Sequence, residues 1–295
     1  MRFNKLLTAG TLALSHLPMP LLYAASSAVA AVACTFRIYR YGVVKQNLSR
    51  ALPELSPAER RRVMHQFYRH LTDSAVEWLK MLTISDEKLR RRVEFRNFDL
   101  LNEDVANGHS VILYLGHYGN WELVPTITWV LPPQLTCAQI YRPPRDHAFD
   151  TLMQRIRNRF GALNIPQKRA VRTLLTLHSQ GTQTITGFLA DQRPNSSVLN
   201  NWTDFLGLDT PYAVGGEEIG RHINAVYYYL DVEKPSRGKA VFTLRHITPA
   251  EGEDYPYTVG YLRLLEQTIR RAPAYWLWTH KRWSKQRTTT SKHIN

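Results

Sequence analysis

The chain has 295 residues, enough for one large domain or two small ones, and no low-complexity linker or internal repeat divides it. A formal charge of +14 favours anionic partners: a phospholipid surface, a phosphorylated glycolipid, an acidic protein or nucleic acid. No zinc-ligand spacing or nucleic-acid motif accompanies it, so nucleic acid is not expected, and the two cysteines, Cys34 and Cys137, form neither a disulfide framework nor a metal pattern.

The first segment is apolar. Between Lys5 and Arg37 stands no Asp, Glu, Lys or Arg, a run of about thirty residues, whereas a bilayer core needs about twenty. Ser15, His16, Pro18 and Pro20 interrupt it, leaving Leu21 to Phe36 as the better helix, short for a perpendicular span. Arg37, Arg40 and Lys45, with Tyr39 and Tyr41 among them, read as a cytoplasmic interfacial anchor. A cleavable signal peptide is the competing reading, with small residues such as Ala28-Val-Ala30 before a cut.

Val44 to Leu82 has a helical pattern broken at Pro53 and Pro57, with Ser56 placed to cap the second piece. Glu77, within that piece, reads as a partly buried structural carboxylate, with a functional role as the alternative. Arg60–Arg62 and Arg90–Arg92 are basic runs suited to a solvated or membrane-facing surface. Val93 to Arg96 reads as a strand and Leu100 to Asn107 as a short helix stopped by Gly108.

Val111-Ile-Leu-Tyr-Leu115 is a buried strand by composition. Gly116 and Gly119 follow, with His117 between them. Asn120 can cap a following helix whose first turn holds Glu122. A base-capable residue therefore stands at the C-terminal edge of a strand, where ligands bind in open α/β sheets. His117 and Glu122 are five apart, about 140° on a continuous helix at roughly 100° per residue, so they meet only if Glu122 reaches back to a loop histidine. A carboxylate on one imidazole nitrogen would fix the tautomer and make the other a base for a substrate hydroxyl. A loop histidine beside an unrelated glutamate is the alternative.

Gly116-His-Tyr-Gly-Asn-Trp-Glu122 resembles the H-x4-D/E motif of glycerolipid-type acyltransferases, in the version found in bacterial lipid A biosynthesis acyltransferases. Further matches in order, from Leu17-Pro18 and Arg37-x-x-Arg40 to the aromatic-basic segment Pro273 to Trp283, extend the resemblance over most of the chain. The resemblance implies an α/β fold, a central mostly parallel sheet flanked by helices with an N-terminal membrane-anchoring helix. It divides the chain into an anchor and basic segment (1–45), an acyltransferase domain (46–285) and a polar tail (286–295).

Beyond His117, Leu135 to Tyr141 is a second apolar strand ending in Arg142-Pro143. A cation there suits an oxyanion or a phosphate. Phe149 to Phe160, carrying Arg155, Arg157 and Arg159, and Val171 to Ser179 read as amphipathic helices. Thr184 to Ala190 is a strand followed by Asp191-Gln192, which resembles the family's Asp-Gln element and is suited to holding acceptor polar groups or bracing Arg142. Trp202 to Pro211 resembles the family's substrate-side loop, and Gly215-Gly216-Glu217 opens a helix that could take phosphate. Ala225–Asp231 and Ala240–Arg245 are late strands in a hairpin, and Tyr257 to Arg271 is a helix.

The candidate site is thus His117 and Glu122 as catalytic residues, with Arg142, Asp191, Gln192 and Asn120 as substrate-binding residues. By resemblance, an acyl group passes from acyl carrier protein to a hydroxyl of a lipid A precursor at the cytoplasmic face of a bacterial inner membrane, in contact with its phospholipid. No cofactor or metal is expected. Another acceptor, such as an amino-acid lipid or a glycerolipid, and a non-catalytic lipid-binding protein are the rival readings.

Overall fold

In the computed structural model, which describes residues 10–142, 147–194, 199–285 and 287, the apolar N-terminal run does not form one long helix. It is helical through Gly10–His16 (α1) and again through Met19–Thr35 (α2), with a bend of 118° between them. Pro18 stands at the cap of α2 and Pro20 in its first turn, where a missing N–H costs nothing. The end of α1 is tied down by Lys80 Nζ, which donates to the carbonyls of Ser15 and Leu17. No single helix among the described residues is long and apolar enough to cross a membrane. The anchoring helix expected from the sequence is therefore two bent pieces.

Arg37, Tyr39 and Arg40 take positive φ and turn the chain into α3 (Tyr41–Ala51). Ser56 then starts α4 (Pro57–Lys80) with a reciprocal capping box: its hydroxyl accepts from the Glu59 N–H, and the Glu59 carboxylate accepts from the Ser56 N–H. α2 packs along α4. α5 (Asp86–Arg90) leads to β1 (Val93–Arg96), α6 (Leu101–Ala106) and β2 (Ser110–Leu115), every residue of which is buried.

A 3₁₀ stretch, Trp121–Trp129, follows where an α-helix was expected, with Pro125 inside it. A proline there removes an N–H and clashes with the preceding turn of an α-helix. Next come β3 (Thr136–Tyr141), α7 (His147–Asn158), β4 (Leu163–Pro166), α8 (Ala170–Ser179) and β5 (Thr184–Leu189). The stretch expected as a substrate-side loop is a hairpin of β6 (Trp202–Phe205) and β7 (Leu208–Pro211), turning on Leu206 and Gly207, both at positive φ. α9 (Gly215–His222) precedes β8 (Ala225–Glu233) and β9 (Ala240–His246), and α10 (Pro256–Arg271) leads into the C-terminal segment. Of the Gly215-Gly216 pair, Gly216 serves packing: a Cβ there would meet the Tyr114 hydroxyl at 2.8 Å, whereas one at Gly215 would meet nothing within 4 Å.

The large sheet has the order β1-β9-β8-β2-β5-β3-β4. Every neighbouring pair is parallel except β8 with β9, so β9 and β1 run against the rest. Helices α8, α9 and α10 pack beside one another against it. β2 lies between β8 and β5, and the β2–β5 register pairs Leu115 with Leu189. His117 and Asp191 each stand two residues beyond that pair, side by side at the sheet's C-terminal edge. Of the 286–295 tail only Arg287 lies within the described residues.

Candidate active site

The chain leaves β2 through Gly116, where a Cβ would strike Leu265 Cδ1 at 2.6 Å. Three residues on, Gly119 has φ of 60° and faces Val232 Cγ1, which a Cβ would meet at 2.9 Å. The glycines on either side of His117 are thus required by close packing and, at Gly119, by a left-handed backbone. The loop between them is held as though it were a strand. Gly119 N–H donates to the Tyr275 carbonyl at 2.9 Å, and Leu277 N–H donates to the His117 carbonyl at 3.0 Å.

His117 Nδ1 lies 2.6 Å from Asp191 Oδ1, and the His117 backbone N–H donates to Oδ2 at 2.9 Å. Trp276 Nε1–H donates to the same Oδ2 at 2.7 Å. Burial pushes the Asp191 pKa up, but the adjacent imidazole and these donors outweigh it and hold the carboxyl below its ordinary range. Asp191 is therefore an acceptor and Nδ1 its donor, so the neutral imidazole would hold its lone pair on Nε2. The His117 side chain keeps 17% of its surface exposed, and Trp121 packs edge-on against the ring with centroids 5.2 Å apart.

Glu122 does not meet His117. Its carboxylate lies 3.7 Å from Arg157 on α7, and the place beside the imidazole is taken by Asp191 on one edge and Trp121 on the ring. Asn120 does not cap the 3₁₀ stretch: its amide donates to Glu77 Oε2 on α4 at 2.9 Å. Arg142 is exposed beyond the end of β3, and Asp191, spent on His117 and Trp276, does not brace it. Pro143 lies outside the described residues, and Gln192 is half-buried next to Asp191.

Several polar residues at the site were not singled out from the sequence. His70 on α4 is buried beneath the loop, with Nε2 3.2 Å from the Gly119 carbonyl and Nδ1 3.1 Å from Lys234 Nζ. A carbonyl can only accept, so Nε2 carries the proton and Nδ1 accepts from the lysine. Burial, then the lysine's charge, pushes this imidazole down to about 3. Arg282 is 1% exposed and donates to the Pro211 carbonyl at 2.6 Å, while its Nε and Nη2 have no hydrogen-bond partner among the described residues. Burial pushes its pKa down to about 10, with the Asp191 carboxylate pulling the other way. A buried guanidinium thus lies close enough to the pair for its charge to be felt by Asp191. No group of carboxylate, histidine and cysteine side chains among the described residues could hold a metal ion.

A model of the family described as bacterial lipid A biosynthesis acyltransferase matches residues 3–285. The chain belongs to that family. It is 24% identical over 275 residues to the lipid A biosynthesis palmitoleoyltransferase of Escherichia coli strain K12, covering 90% of this chain and 86% of that one. The lipid A biosynthesis acyltransferase of Shigella flexneri matches with the same identity and coverage. This protein is accordingly an acyltransferase, and the histidine motif that suggested so lies within the matched span.

Proposed function

We propose that this acyltransferase moves a fatty acyl group from acyl carrier protein to a hydroxyl of a lipid A precursor, with His117 as general base and Asp191 as the group that orients it. The observation that supports this reading is the His117–Asp191 pair at the sheet's C-terminal edge, its Nε2 free among the described residues. In the first step Nε2 takes the proton of the acceptor hydroxyl as the oxygen bonds to the thioester carbonyl carbon. The tetrahedral intermediate then expels the carrier's thiolate, which takes the proton back from Nε2. Asp191 compensates the transient imidazolium without itself gaining a proton. General-base assistance of this kind is worth about 10²–10⁴-fold. Glu122 with Arg157, and Arg142 at the end of β3, are assigned to substrate: cations there suit the oxyanion or a phosphate.

Membrane attachment at the cytoplasmic face is part of the proposal. The outer side of α1 and α2 exposes Leu14, Leu21, Val29, Val32 and Phe36, the last at 71%. Exposed Arg37 and Lys45 follow. An apolar strip with a basic end suits the interface of an anionic bilayer. The deciding experiment is lipid mass spectrometry of a strain lacking the protein, complemented with wild-type or His117→Ala chain. Lipid A short of one acyl chain, restored only by wild type, is expected. Unchanged lipid A with an altered amino-acid lipid or glycerolipid would move the assignment to that acceptor.

A further inference from the structure

Between the apolar helix α2 and the His117 loop lies one carboxylate. Glu77, on α4, is 7% exposed, and each of its oxygens has a different partner. Tyr23 of α2 donates its hydroxyl to Oε1 at 2.8 Å, and Asn120 of the loop donates its amide to Oε2 at 2.9 Å. Tyr23 has little freedom. Arg237 stacks over its ring at 4.2 Å, and Gly238 sits so close that a Cβ there would meet its hydroxyl at 2.4 Å. Burial, then Glu77, raises the phenol's pKa far above its ordinary value, so it stays a donor. Asn120, 6% exposed, is the residue after Gly119, whose carbonyl is bonded by His70 from the same helix.

We propose that Glu77 is a positioning residue for the catalytic loop and that Tyr23 holds it in place, so that α2 is part of the active-site scaffold as well as a surface for lipid. Its catalytic meaning rests on the assignment of His117 as the base. The buried carboxylate needs both donors: without Tyr23, Oε1 is left unpaired and the carboxylate can turn away from Asn120. Among the described residues, the contacts of Ser26 with Thr72 and Asp73 make no direct bond to Glu77 or to the loop. Ser26 donates to Asp73 at 2.5 Å and accepts from no group near His117, which makes it a matched control.

The test is an exchange of partners. Asn120→Asp places a second carboxylate against Glu77, whereas Glu77→Gln/Asn120→Asp restores a donor facing an acceptor, with the new amide oxygen still available to Tyr23. Amide hydrogen exchange across Gly116–Asn120 is read for each variant, together with kcat and KM in detergent micelles. Asn120→Asp should speed loop exchange and lower kcat by about tenfold or more, and the double variant should recover to within about threefold, as coupled neighbours do. Tyr23→Phe should lower kcat with KM nearly unchanged, while Ser26→Ala lowers the melting temperature but leaves loop exchange and kcat alone. A fully active Asn120→Asp chain, no recovery in the double variant, or equal effects of Tyr23→Phe and Ser26→Ala would overturn the proposal. A wild-type chain without acyl transfer would instead sink the proposed function, and the exchange data would still decide whether Glu77 orders the loop.

Discussion

His117 and Asp191, 74 residues apart in the chain, are joined through an Nδ1–Oδ1 contact of 2.6 Å at the ends of two adjacent parallel strands. His117→Ala should abolish transfer with the fold retained. Asp191→Asn is the more informative change. The carboxylate accepts from three N–H groups, and an amide can face only some of them without opposing donors. The imidazole can relieve that conflict by moving its proton to Nε2, which removes the base. A fall of about 10² or more in kcat is expected, measured by single-turnover transfer from acyl carrier protein, with near-normal turnover in either variant refuting the assignment.

Glu122 and Arg157 should behave as one unit. Their charges are 3.7 Å apart with about a fifth of each side chain exposed, 22% and 17%. Glu122→Gln and Arg157→Gln should each cost activity, and the double variant should be little worse than the single ones. Additive losses in the double-mutant cycle would mean that the two act on different groups.

The elements were legible because their signals are local. Ser56 and Pro57 mark the start of α4, apolar runs rich in β-branched and aromatic residues mark β8 and β9, and Gly108, Gly161 and Gly181 stop helices at positive φ. The partner of His117 was not, because strand order is not a local property. β2 and β5 are neighbours although β3 and β4 intervene in the chain, and no residue near His117 encodes that. Glu122 was five residues away and so drew attention, while Asp191 was read as serving substrate. Pro125 signalled the difficulty for a regular helix after Asn120, and it turned the segment into a 3₁₀ stretch that carries Glu122 toward Arg157.

The N-terminal pieces give a membrane prediction. Val29 is 57% exposed and Leu21 likewise 57%. Replacing either with Asp should weaken binding to vesicles of phosphatidylethanolamine and phosphatidylglycerol by about tenfold or more, since a buried aliphatic side chain contributes roughly 1.5–3 kcal/mol. Vesicle flotation reads this directly. Unchanged flotation would show that α2 faces something other than lipid.

Acid should destabilise the fold through His70. The folded imidazole stays neutral down to about 3, and that of the unfolded chain titrates near 6.5. Between those values the unfolded state binds the extra proton, so stability is full above 6.5 and is lost as pH falls toward 3. His280, pushed down to about 4 by burial and then Arg282, acts in the same direction. Urea midpoints compared at about pH 7.5 and about pH 5 should drop for wild type and drop less for His70→Gln, which can still donate to Gly119 and accept from Lys234.

Donor choice is testable through charge. Arg61 and Arg62 are exposed on α4, whereas Arg159 is committed to the Met81 and Ile84 carbonyls and to Asp86. Reversing Arg61 and Arg62 to Glu should raise the KM for acyl carrier protein thioesters at low salt and spare coenzyme A thioesters, because steering charges are screened over about 10 Å at 0.1 M. Equal use of both donors at every salt concentration would remove the carrier from the proposal.

The sheet also dictates when the protein can finish folding during synthesis. β1 is laddered to β9, with Val93 opposite Ala240, and the backbone of His117 is bonded by Leu277. A nascent chain leaving the ribosome thus carries an unpaired β1 until β9 has emerged and an unsealed loop until Leu277 has. Such long-range closures fold slowly and leave strand edges open to aggregation. A stop codon shortly before Trp276 would leave β1 laddered to β9 but deny Asp191 its indole donor and the His117 loop its bond from Leu277, so the sheet should form there without an ordered site, whereas a stop in β2 should leave no sheet at all.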